Sequence, residues 1–202
     1  LARGMKHEAD AAGALIVGGD IARGPKIVIS MTAVGSAQAP ILRSGAKVGD
    51  GLYLSSLTGW SAAGLELLTR EVSINSAIAE RSLSEFSAPT LDYSSDFSGA
   101  TAMADVSDSV LIQAEQIAEA SGVQLVLDQV LIVQASEFKD LSTLADELKV
   151  DVFQWILGGG EDHVLLATGQ SLPGIRIGSV VAGSGIAGVD MKKAPVSWSH
   201  FH

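Results

Sequence analysis

Apolar residues in this chain come in short runs, many of them ending at a glycine-bearing turn. Some runs have the two-residue period of a strand, as in Lys26 to Val34 with Ile27, Ile29, Met31 and Ala33. Others have the 3.6-residue stripe of a helix, as in Ser61 to Thr69 with Ala62, Leu65 and Leu68. This alternation constrains the fold more than any single motif. It excludes a helical bundle and predicts a mixed sheet with helices on one face. No run reaches the ~18 apolar residues of a membrane helix. With 47% hydrophobic and 18% charged residues in 202, the chain has enough apolar side chain for a sizeable core. Aromatics are only 5%, so aliphatic and small residues must build it.

Charge and cysteine content bound the chemistry. Lys plus Arg is 13 and Asp plus Glu is 23, a formal net charge of −10. Such a surface repels nucleic acid and anionic membrane, so neither is an expected partner. There are no cysteines, which excludes disulfides, thiolate metal sites and a cysteine nucleophile and fits the cytoplasm. His7, His163, His200 and His202 show no zinc-ligand spacing on a credible element. Gly183 to Gly188 match a loose G-x-G-x-x-G, but no βαβ unit follows, so a dinucleotide fold is not expected.

Along the chain, helices are expected over 2–13, 61–69, 74–86, 110–121, 136–149 and 151–157. Strands are expected over 14–18, 26–34, 52–57, 102–106, 124–127, 163–167 and 175–181. Residues 87–100 read as loop. Ser61 is the expected N-cap of its helix, and Gly122 closes the helix before it. The chain opens on a helix that runs straight into a strand, as if in the middle of an α/β unit; more chain is expected upstream.

Three features place acids at turns after apolar strands: Gly18-Gly19-Asp20, Asp105-Val106-Ser107-Asp108, and Gly158-Gly159-Gly160-Glu161-Asp162. Glycine lets backbone approach a ligand, and a carboxylate at a strand end suits a hard cation such as Mg²⁺. Each feature has a plainer reading. Asp20 is equally a turn residue, and Ser107 or Asp108 equally a helix cap. Of Glu161 and Asp162, one must point inward or along the sheet edge. Arg43 is either a phosphate contact or a solvated loop arginine. Trp198 is either packing or a ligand platform.

In order and spacing, these pieces resemble the thiamine-monophosphate kinases. The segments are VGGDIARGP (17–25), ILRSGAKVGDGLYLSSLTGWSAAGLELL (41–68), APTLDY (88–93), ADVSDS (104–109), ASGVQLVLD (120–128), LGGGEDHVLLAT (157–168) and WSHF (198–201). The resemblance implies an α+β fold of the aminoimidazole-ribonucleotide-synthetase type. Residues 1–40 would be the remnant of an N-terminal ATP- and Mg-binding domain, and 41–202 a C-terminal α/β domain. It implies a homodimer in the intact protein. The implied reaction moves the ATP γ-phosphoryl onto thiamine monophosphate, with Mg²⁺ assisting.

By residue, the resemblance implies Gly19, Asp20, Arg43 and Ser107 at ATP. It implies Asp20, Asp105 and Asp108 at Mg²⁺, and Glu161 and Trp198 at the thiamine moiety. Ile21, Trp60 and Ser109 depart from the family's usual Thr, Asp and Gly. Much of the family's N-terminal part has no counterpart here, so these residues alone are expected to be inactive. The alternatives are a non-catalytic C-terminal domain and another superfamily member, such as a selenophosphate synthetase-like protein.

Overall fold

A computed structural model describes residues 1–189. It divides into two units, Leu1–Pro40 and Ile41–His202.

The first unit holds one regular element, α1 (Ala2–Ala11). The strands expected over 14–18 and 26–34 do not form: both stretches are without regular structure, and Val17 is 95% and Ile27 91% exposed. A strand exists only when a neighbour completes its ladder. Among the described residues none pairs with either stretch.

In the second unit the elements are β1 (Gly51–Leu54), α2 (Trp60–Thr69), α3 (Ala77–Ser87), β2 (Ala102–Val106), α4 (Val110–Ser121), β3 (Gln124–Leu127), α5 (Gln129–Val133), α6 (Phe138–Leu148), α7 (Val152–Gly158), β4 (Val164–Gly169), β5 (Ile175–Val181) and β6 (Gly185–Ala187). The strands form one mixed sheet in the order β2-β4-β1-β5-β3-β6. Every pairing is antiparallel except β3 with β6. The glycine-rich 183–188 stretch therefore contributes an edge strand.

Helix lengths follow from local chemistry. On α6, Leu141, Leu144, Ala145 and Leu148 are buried, the i, i+3, i+4, i+7 stripe of an amphipathic helix. On α4, Val110, Ala114, Ile117 and Ala118 face the core, and Gly122 ends the helix at φ 66°, in the left-handed region glycine favours. The short α5 escapes a periodicity test because it is barely more than one turn; Asp128 starts it by accepting from the Val130 amide. The core is largely aliphatic, with Leu52, Leu54, Leu125, Leu141 and Ile156 fully buried. Each such side chain contributes about 1.5–3 kcal/mol.

The cap of α4 is Ser109, whose hydroxyl accepts from the Ile112 amide at 3.2 Å. Ser107 and Asp108 are thus not the cap. Ser109 is fully buried, so the departure from the family's glycine supplies a cap there. We expect Ser109→Ala to cost about 1 kcal/mol and Ser109→Gly a few tenths, read as urea unfolding midpoints. Equal losses would refute the hydroxyl's role as cap.

Candidate functional site

The β2–α4 junction and the loop from α7 to β4 are laced together by backbone. The Glu161 amide donates to the Ser107 carbonyl at 2.7 Å, and the His163 amide to the Val106 carbonyl at 3.0 Å. Gly160 lies against the Ser107 and Asp108 carbonyls so closely that a Cβ there would meet both. Two sequence features 50 residues apart, SD and GGGED, therefore become one surface. Within it, Asp105 is exposed, and Ser107 and Asp108 are half-buried.

The two acids of GGGED part company. Asp162 is 6% exposed, whereas the Glu161 side chain is 73% exposed. Asp162 turns inward and accepts from the Gly59 amide at 2.8 Å and the Ser61 amide at 3.0 Å. It thereby caps α2 from a distant segment. The expected cap, Ser61, is instead the second helical residue; Gly59 takes the cap position at φ 106°. Glycine accepts that backbone without strain but has no side chain to cap with, so the acceptor comes from elsewhere. Burial pushes the Asp162 carboxyl up to about 6, and the charge of Glu85 adds to this. The Ser61, Gly59 and Trp60 amides pull the other way.

On either side of Asp162 the backbone is left-handed at two non-glycine residues, Glu161 (φ 64°) and His163 (φ 52°). Such conformations persist only where the surroundings hold them, and they concentrate at functional sites. His163 Nε2 lies 3.2 Å from Glu161 Oε2, so the exposed carboxylate has a partner that its sequence position did not disclose.

The other expected residues fall as follows. Arg43 is exposed, and its backbone carbonyl accepts from Ser121 Oγ at the end of α4, which ties its segment to the same helix. Asp20 belongs to the first unit, as does Gly19; both are exposed, and Asp20 Oδ1 accepts from the Ile21 amide at 2.8 Å. Trp198 lies outside the described residues. Among the described residues no three His, Asp or Glu side chains gather into a metal-binding group. No described helix is long and apolar enough to cross a membrane.

Sequence reasoning missed two features. Asp50, which stands between two glycines, is buried and accepts from the Lys47 amide, Thr101 Oγ1 and Gln170 Nε2. Trp60 is buried at the start of α2, with the Arg81 guanidinium carbon 3.7 Å above its ring. Arg81 in turn pairs with Glu137. The residue that departs from the family here is thus held by a cation over its face, a contact worth about 1 kcal/mol.

Comparison with known proteins adds the following. No family model matches. Among curated relatives, the thiamine-monophosphate kinase of Mycobacterium tuberculosis is 39% identical over 173 residues, covering 83% of this chain and 50% of that protein. The enzyme of Corynebacterium glutamicum is 39% identical, covering 89% and 57%. That of Archaeoglobus fulgidus is 33% identical, covering 98% and 65%. The solved structure of AaThiL complexed with AMPPCP and TMP superposes with a TM-score of 0.69 at 27% identity, covering 80% of this chain and 54% of that one. The hydrogenase maturation protein HypE of Escherichia coli, at TM-score 0.51 and 13% identity, shares the fold alone. The chain spans about half the length of the first two of these curated relatives. Over the residues it contains, the chain belongs to the thiamine-monophosphate kinase family.

Proposed function

We propose that the protein to which these residues belong transfers the γ-phosphoryl group of ATP to thiamine monophosphate, giving thiamine diphosphate and ADP. The observation that carries this reading is the junction of Ser107 and Asp108 with Gly160 and Glu161. It joins an acid just before α4, Asp108, to the exposed carboxylate of Glu161. The relatives' name and the AMPPCP and TMP bound by AaThiL supply the substrates.

Residue roles follow from chemistry. The acceptor is itself a phosphate, mostly dianionic at neutral pH, and needs little help from a base. The difficulty is bringing two anions together, so positioning and charge neutralisation dominate. Ser107 stands two residues before Ser109, the cap of α4, near the helix end whose amides and dipole favour an anion. Arg43 adds a cation for ATP phosphate, and Gly19 an unhindered approach. Glu161 offers an anion to the cationic thiazolium of thiamine, and Trp198 a ring against it.

The carboxylates fit a magnesium ion. Mg²⁺ takes one or two protein carboxylates and completes its shell with water and phosphate oxygens. Asp105 and Asp108 would supply such a pair, and Asp20 is a further candidate ligand. When bound, the ion neutralises charge on the transferring phosphate. The homodimer and a cytoplasmic location belong to this same reading, as does inactivity of the 202 residues alone. The last is supported by the share of the relatives that they span.

The test is thiamine diphosphate formation by the full-length protein with Mg·ATP. Asp108→Asn is expected to lower kcat/KM about 100-fold, the scale of losing one charge-stabilising group. An unchanged rate would remove Asp108 from the site. A wild-type protein that binds neither substrate would favour the non-catalytic reading.

A further inference from the structure

We propose that Asp162 is a positioning residue: its buried carboxylate clamps the 159–163 loop to the first amides of α2 and so presents Glu161 to the ligand. The inference rests on the reading that Glu161 meets thiamine monophosphate. It goes beyond that reading by assigning work to a side chain that touches no substrate.

The geometry is specific. Asp162 uses both oxygens, Oδ2 on the Gly59 amide and Oδ1 on the Ser61 amide. Two amides two residues apart, each on its own oxygen, fix the carboxylate plane, not merely its location. The residues on either side of it hold left-handed backbone, which costs free energy unless something holds it. The Glu161 and His163 amides are engaged with the β2–α4 junction. The loop is thus pinned at two kinds of anchor: backbone to the junction, and one carboxylate to α2. With Asp162 drawn inward, Glu161 stands outward, where His163 reaches its carboxylate. The carboxylate serves helix and loop at once: Gly59 leaves α2 without a local side-chain cap, and the acceptor that replaces it comes from the loop. Glu85 is the acid that faces it from α3, and the Thr90 amide and hydroxyl donate to the Glu85 carboxylate.

The test compares wild type, Asp162→Asn and Glu161→Gln in the full-length protein. Asparagine keeps the shape and one acceptor but turns an NH₂ toward the second amide. Amide hydrogen exchange at Glu161 and His163 is expected to accelerate about 10-fold or more in Asp162→Asn, with α6 unchanged. Affinity for thiamine monophosphate is expected to fall about 10-fold, with affinity for AMPPCP unchanged. Loop exchange equal to wild type would overturn the clamp. So would equal weakening of both ligands, the signature of a general structural defect. In Glu161→Gln, exchange should match wild type while thiamine monophosphate binding weakens. If that binding is unaffected, the Glu161 assignment fails, and the exchange data still decide whether Asp162 holds the loop.

Discussion

Gly160→Ala is expected to destabilise the protein by about 3 kcal/mol and to weaken binding of both substrates, because the added methyl has no room. The Cβ would lie 2.6 Å from the Ser107 carbonyl oxygen and closer still to that of Asp108. Neither obstacle is the free end of a flexible side chain. The Ser107 carbonyl is committed to the Glu161 amide, so it retreats only by breaking that bond. The loop must therefore lift from the β2–α4 junction, which separates Glu161 from Ser107 and Asp108. Urea unfolding gives the stability, and titration with thiamine monophosphate and AMPPCP gives the affinities. An alanine variant of wild-type stability and affinity would show that the two segments do not need to touch.

Much of this junction was legible in the residues, and the part that was not has a physical reason. Periodicity located β2, α4, β3 and β5 because each buries one regular face or run. Paired acids after glycines announced that one carboxylate would turn inward or along the sheet edge, and Asp162 turns inward. What lay beyond reach was the partner. The amides Asp162 binds are about a hundred residues away, and local rules gave the α2 cap to Ser61. Asp50 escaped for the same reason: its partners Thr101 and Gln170 come from segments adjacent only in the folded sheet. At 14–18 and 26–34 the pattern asked for strands, but a pattern states only what one strand offers. Without a ladder partner among the described residues, the offer is not taken up. The His163 contact with Glu161 likewise depends on two left-handed residues that no propensity predicts.

The two buried aspartates should shape acid stability in opposite directions, and Asp50→Ala should be the more damaging loss at neutral pH. Burial alone would raise the Asp50 carboxyl, but bonds from Thr101, the Lys47 amide and Gln170, with the Lys47 charge, hold it below its ordinary 3.8. Its contribution is therefore present above pH 3.8 and lost as pH falls through its lower folded value. Asp50→Ala leaves three donors facing a cavity and should cost about 3 kcal/mol at pH 7. Asp162 has the opposite sign. Its carboxyl is raised from 3.8 to about 6, so the folded state binds the proton more tightly than the unfolded state does. Stability from this group is full below pH 3.8 and is lost as pH rises toward 6, by about 3 kcal/mol. Between pH 7 and pH 4 the wild type should thus gain stability that Asp162→Asn does not gain. Below pH 4 it should lose stability that Asp50→Ala has already lost. Urea midpoints at pH 7, 5, 4 and 3 for the three proteins decide this. Parallel curves for wild type and Asp162→Asn would mean that the carboxylate sits in the α2 amides without cost. The clamp would then be held by favourable charge–dipole attraction rather than maintained against it.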